Sequence, residues 1–206
     1  MRLDELNTLP DDSARAELLR CCGSTRWARA MTAARPFATA DAMLSAADAA
    51  WSALGPDDWL EAFRAHPRIG ETVGAGGHAG ARASERPAHE ASARHVPESG
   101  ARGAESQRPE DCEHSRERGD SRWSAHEQAG VRDASQELRD RLARANDRYE
   151  ARFGYIFIVC ATGRSAGEML AMLERRLTNE ADAELQTAAE EQRKIMRLRI
   201  AKMMAP

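Results

Sequence analysis

Tyr155-Ile156-Phe157-Ile158-Val159-Cys160-Ala161 is apolar on both faces, and the six residues from Ile156 to Ala161 form the longest unbroken apolar run in the chain. That is far short of the roughly 20 residues needed to cross a bilayer. It is also too short for a helical period to show itself, so the run reads as a buried extended segment or an irregular turn. Around it, strand-forming material is thin. Aromatic residues make up 5% of the chain, β-branched residues are scarce and Ala is abundant, a composition that favours helices. The expectation is an all-α fold of about seven to eight helices in a single domain.

Working outward from that run, Thr162-Gly163-Arg164 forms a turn. Ser165 and Glu168 have the spacing of a capping box for a helix bearing Leu170, Leu173 and Leu177, since each side chain can satisfy a free backbone N–H of the first turn. A last helix, from about Ala181 to Met203, has a less clean face around Leu185, Ala188, Ile195 and Met196. Before the run, Leu138, Leu142, Ala145, Tyr149 and Phe153 make a stripe on a long polar helix that Gly154 ends. Its start is expected at Ser124 and Glu127, a second S-x-x-E pair.

In the amino-terminal half, Pro10-Asp11-Asp12 precedes a helix carrying Leu18 and Leu19 and ending at Gly23, and another runs from Thr25 to about Ala34, stopped by Pro36. Leu44, Ala47, Trp51 and Leu54 recur at spacings of three and four, up to Gly55-Pro56. Asp57 and Asp58 open a short helix with Trp59, Leu60 and Phe63, which should stop at His66 because Pro67 pushes its predecessor out of helical dihedrals.

Residues Gly74 to Asp120 contain no Leu, Ile, Met, Phe, Trp or Tyr, with Val96 their one large aliphatic side chain. Such a stretch cannot offset roughly 1–2 kcal/mol of backbone entropy per ordered residue. It is expected to be a disordered insertion at 74–120 within one domain spanning 1–206.

The 206 residues carry a formal net charge of −3, and 31% of them are charged. There is no overall cationic field of the kind that nucleic-acid binding normally displays. Nearly all the positive charge is arginine, with Lys194 and Lys202 the two lysines. Arg193, Lys194, Arg197, Arg199 and Lys202 suit the carboxyl end of the last helix as a solvated face. Cys21, Cys22, Cys112 and Cys160 form no CxxC pair, and two are adjacent, so no disulfide framework is expected. The acids at Asp4 and Glu5 do not suit a secretory signal, and the expected location is the cytoplasm. Cys112-Glu113-His114 lies near His78, His89 and His95 without a zinc spacing, so no metal is expected. No phosphate-binding glycine loop occurs.

Three patches depart from amphipathic filler, and each has a plain structural reading beside a chemical one. His66, before Pro67, either caps its helix or acts as a general acid, with the helix dipole favouring its ionised form. Ser124 and Glu127 either cap a helix or, with Gln128, rim an anion site at its first turn. Phe157 to Ala161 either fills a core or faces a heterocycle with its backbone N–H and C=O groups. Arg164 then either sits on the surface or grips a carboxylate.

Taken together and in order, His66-Pro-Arg-Ile-Gly70, Trp123-Ser-Ala-His-Glu-Gln128 and Phe153-Gly-Tyr-Ile-Phe-Ile-Val-Cys-Ala-Thr-Gly-Arg164 resemble 2-oxo-4-hydroxy-4-carboxy-5-ureidoimidazoline (OHCU) decarboxylases. Arg35-Pro36-Phe37 and Glu174-Arg-Arg-Leu-Thr-Asn179 extend the likeness, and the 74–120 tract has no counterpart.

The resemblance implies an all-α, cofactor-independent enzyme of purine catabolism that forms (S)-allantoin and carbon dioxide, commonly as a homodimer. It implies His66 as proton donor, working with Glu127, and Pro67 as part of the substrate wall. Ser124, Ala125, His126, Glu127 and Gln128 would hold polar edges of a ureidoimidazoline carboxylate. Phe157, Ile158, Val159, Cys160 and Ala161 would line the pocket, with Arg164 beside it. No nucleic acid, membrane, metal or cofactor enters this reading. Two competing readings are a catalytically silent helical interaction module, with the insertion as a partner-binding arm, and a decarboxylase or hydrolase of another ureido acid.

Overall fold

A computed structural model of the chain describes residues 1–70 and 134–205. Among these residues there are eight helices and no strand: α1 (Leu3–Thr8), α2 (Asp11–Cys22), α3 (Thr25–Ala33), α4 (Ala40–Ser52), α5 (Pro56–Arg64), α6 (Gln136–Phe153), α7 (Ala166–Arg176) and α8 (Ala181–Met204). The 74–120 tract lies outside the described residues.

Local signals set most of the boundaries. Ser24, Thr39 and Ser135 accept hydrogen bonds from the N–H of Trp27, Ala42 and Leu138, capping α3, α4 and α6. The Ser165 and Glu168 box forms at α7, and Pro56 occupies the first turn of α5. Two expectations need correction. The long helix α6 is capped by Ser135, so its start lies beyond the Ser124 and Glu127 pair expected to begin it. On α4 the buried stripe is Met43, Ala47 and Trp51, with Leu44 half-buried beside it. Helix α1 was not foreseen: at six residues, with Leu6 its one buried side chain, it is too short to display a period.

The apolar side chains form two clusters. The larger gathers Leu6, Leu18, Trp27, Met31, Met43, Trp51 and Phe63 from the first five helices with Ile195, Met196 and Ile200 of α8. The smaller joins α6 and α7 through Leu142, Tyr149, Met169 and Leu173. The segment at 155–161 is extended, without a strand partner, and stands between them. Its alternation places Phe157, Val159 and Ala161 in the smaller cluster, while Ile158 belongs to the larger and Ile156 and Cys160 pack against that larger cluster. That is why the run is apolar on both faces: each face meets a different core.

Helix α8 packs against α2, α4 and α5. Its poor amphipathic signal has a clear cause, since Glu184, Glu191, Gln192 and Arg199 are buried among its apolar residues. Where α2 ends, Gly23 takes φ +83°, and a Cβ there would sit 2.6 Å from that of Ala65. Only glycine permits both this left-handed turn and this approach. The contact seats the end of α5 against α2, and His66 follows immediately.

Candidate active site

The cleft beside that junction is lined by His66, Pro67, Ile69, Phe157, Ile158, Val159, Cys160, Ala161, Thr162, Ile195 and Leu198. Its cavity volume is about 20 Å³. The structure therefore unites two of the three patches, His66-Pro67 and Phe157 to Ala161, from segments about ninety residues apart. Ser124, Ala125, His126, Glu127 and Gln128 lie outside the described residues, as do His78, His89, His95, Cys112 and His114. Among the described residues no group of His, Cys, Asp or Glu is arranged to hold a metal, and no helix is long and apolar enough to cross a membrane.

His66 follows α5, whose last helical residue is Arg64, and its N–H bonds to the Phe63 carbonyl at 3.1 Å. The residue as a whole is half-buried while its imidazole is turned inward, with Nδ1 3.5 Å from Nη2 of Arg199. A guanidinium can only donate, so Nδ1 is the acceptor and the proton of the neutral ring resides on Nε2. Burial first, and the Arg199 charge second, push the imidazole down to about 3; Gln192, which approaches the ring, opposes this weakly. The expected imidazolium held by the helix dipole is thus corrected. The charge of the buried guanidinium and the loss of solvent outweigh a helix end, whose influence is about 0.3–1 kcal/mol.

Nε2 of His66 and Oε1 of Gln192 are both buried, and the Gln192 side chain is the imidazole's hydrogen-bonding neighbour. Gln192 is anchored by its amide nitrogen, which donates to the Cys22 carbonyl at 3.1 Å.

Arg199 and Gln192 were missed at the sequence level. Arg199 was grouped with a solvated basic face, yet it is 2% exposed and reaches both His66 and the Arg20 carbonyl. Its neighbours fit the original reading better: Arg193 and Arg197 pair with Asp48, and Lys194 with Glu191, with their side chains partly exposed. The available signal was weak. Arg199 falls four residues after Ile195 and seven after Gln192, which places all three on the face that enters the core.

Arg164 is not among the cleft-lining residues. Its Nε donates to the Cys160 carbonyl at 3.1 Å and its N–H to that of Ala161 at 3.0 Å. It therefore closes the turn behind the wall, with its side chain half-exposed. Cys160, which is in no disulfide, lines the cleft.

The family model described as OHCU decarboxylase matches residues 7–108 and 87–201. A uric acid degradation bifunctional protein of Arabidopsis thaliana is 32% identical over 184 residues, covering 89% of this chain and 45% of that protein. A 2-oxo-4-hydroxy-4-carboxy-5-ureidoimidazoline decarboxylase of Amia calva is 43% identical over 60 residues, 29% of this chain and 34% of that one. The chain thus spans less than half the length of these relatives. A crystal structure of an OHCU decarboxylase in the presence of (S)-allantoin superimposes with a TM-score of 0.65 at 29% identity, covering 93% of this chain and 99% of that one. With the family pattern matched on both sides of the 74–120 tract, and the helical scaffold matched along nearly its whole length, the chain belongs to the OHCU decarboxylase family.

Proposed function

We propose that this protein converts 2-oxo-4-hydroxy-4-carboxy-5-ureidoimidazoline to (S)-allantoin and carbon dioxide without a cofactor. The observation that carries the reading is the seating of His66 against the buried guanidinium of Arg199, on a cleft whose facing wall is extended backbone. The names of the relatives agree with it: one acts in uric acid degradation and another was solved with (S)-allantoin.

The chemistry suits such a site. The bond from the ring carbon to the carboxylate breaks heterolytically, carbon dioxide leaves, and the electron pair enters the substrate's own conjugated C=N and C=O groups. A proton then forms the new C–H bond on one face. The protein's work is positioning, charge placement and delivery of that proton.

In this reading the substrate carboxylate sits in the cleft beside His66, where its negative charge acts on the ring against that of Arg199. The influence that depresses His66 weakens, and the ring takes up a proton in the complex that it does not hold in the free enzyme. His66 then returns that proton to carbon. Pro67 and Phe157 to Ala161 form one wall. Ser124 to Gln128, with Glu127 assisting His66, supply another. The same reading has one domain over 1–206, with 74–120 as an insertion, working as a cytoplasmic homodimer and needing neither nucleic acid nor membrane.

The test is to supply freshly generated urate-oxidation intermediate and follow the appearance of optically active allantoin. Formation no faster than without protein would refute the proposal. Sedimentation tests the dimer separately.

A further inference from the structure

An extended chain turns the N–H and C=O of alternate residues to opposite edges. Along one edge of the cleft wall, the Ile158 carbonyl accepts from Nη1 of Arg176 at 2.8 Å, and the Cys160 N–H donates to Oε2 of Glu191 at 2.8 Å. A neighbouring strand would offer the same pattern, one donor and one acceptor two residues apart. Here two charged side chains from α7 and α8 provide it.

Both are built in. Arg176 is 4% exposed and Glu191 6%. Arg176 donates through Nε to Glu184 at 2.7 Å, and its guanidinium carbon lies 4.7 Å from the ring centre of Phe157, a cleft-lining residue. The other oxygen of Glu191 accepts from Lys194 at 2.5 Å. Burial pushes the Glu191 carboxyl up, but Lys194 and the Cys160 N–H outweigh this and hold it below its ordinary range. It therefore meets the backbone as a carboxylate, and charge-assisted bonds of this kind are roughly twice as strong as neutral ones.

We propose that Arg176 and Glu191 are positioning residues that clamp one edge of the Phe157–Ala161 wall, so that the N–H and carbonyl of Val159 and the N–H of Ala161 on the other edge are held in register for the substrate. They do not touch the reacting atoms and act through Ile158 and Cys160. This rests on the decarboxylase reading for what the wall receives, whereas the clamp itself can be measured without turnover.

The test uses the full chain and two variants. Glu191→Gln keeps an oxygen for the Cys160 N–H, and Glu191→Leu removes it at similar volume. Amide hydrogen exchange at Cys160, binding of (S)-allantoin by calorimetry, and KM and kcat on freshly generated substrate are the readouts. In Glu191→Leu, Cys160 should exchange faster, and KM and the allantoin Kd should rise ~10-fold, in line with the loss of one charge-assisted hydrogen bond, while kcat falls less. Glu191→Gln should restore most of each. Wild-type exchange and KM in Glu191→Leu would overturn the proposal, as would equal damage in both variants. If Glu191→Leu does not fold, Glu191→Asp, one carbon short of its partner, should show the same changes in smaller measure, and wild-type values there would be equally fatal. A wild-type protein that neither turns over nor binds allantoin defeats the decarboxylase reading, and Cys160 exchange still decides the clamp.

Discussion

Arg176 and Arg199 are buried to nearly the same extent, at 4% and 2% exposure, yet they face opposite kinds of partner. Arg176 pairs with Glu184, which has no exposed surface and also accepts from Tyr149 and Asn179. Arg199 points a guanidinium nitrogen at an imidazole. The first arrangement is closed: donors and acceptors satisfy one another, and the group locks α6, α7 and α8 around the extended segment. The second sets a desolvated imidazole between that guanidinium and the Gln192 side chain, next to a cleft. Such a region holds a titratable group away from its ordinary pKa beside a cleft, which is the property a catalytic acid or base needs.

The sharpest way to break this contrast is at His66. His66→Asn should lower turnover by ~10²–10⁴-fold while leaving the thermal midpoint unchanged or raised, since a desolvated ring beside a buried guanidinium is removed. Paired kinetics and melting curves check both halves, and a large loss of stability would move His66 to the architectural side. Next in size, Arg176→Ala or Glu184→Ala should each cost about 3–5 kcal/mol in urea unfolding, because either leaves a buried charge unmatched. The double variant Arg176→Met/Glu184→Leu should lose much less than the sum.

The pH dependence follows from the depressed imidazole of His66. An unfolded chain takes up its proton near pH 6.5, whereas the folded one resists to about 3. Between those values the unfolded state binds the extra proton, so this contribution to stability is complete above about 6.5 and declines as pH falls toward 3. The decline across the window, at about 1.4 kcal/mol per unit, should flatten in His66→Asn. In kinetics the histidine should titrate higher in kcat than in kcat/KM, which report the complex and the free enzyme respectively. Smallest of all, replacing 74–120 with a short Gly/Ser linker should change stability by about 1 kcal/mol, since loop closure depends only logarithmically on length, and should preserve turnover.

Much of this was readable in advance. Gly23 and Gly154 ended their helices where expected, with φ of 83° and 79°, and Ser165 with Glu168 capped α7. These signals act within one helical turn, so sequence records them directly. The buried polar members of α8 were another matter. Glu191, Gln192 and Arg199 blurred its apolar face and made a core helix look solvated, because periodicity registers hydrophobicity and not whether a polar atom has a partner.

What the chain encodes by itself is therefore the set of helices, the apolar segment that cannot be one of them, and the histidine that precedes a proline, since caps, dihedral limits and spacing operate between near neighbours. Tertiary structure alone decided that this segment would divide two cores, that Arg199 would come to His66 from 133 residues away, and that the imidazole would be neutral at rest. Desolvation and through-space charge depend on which distant side chains share a buried volume, and no local pattern specifies that.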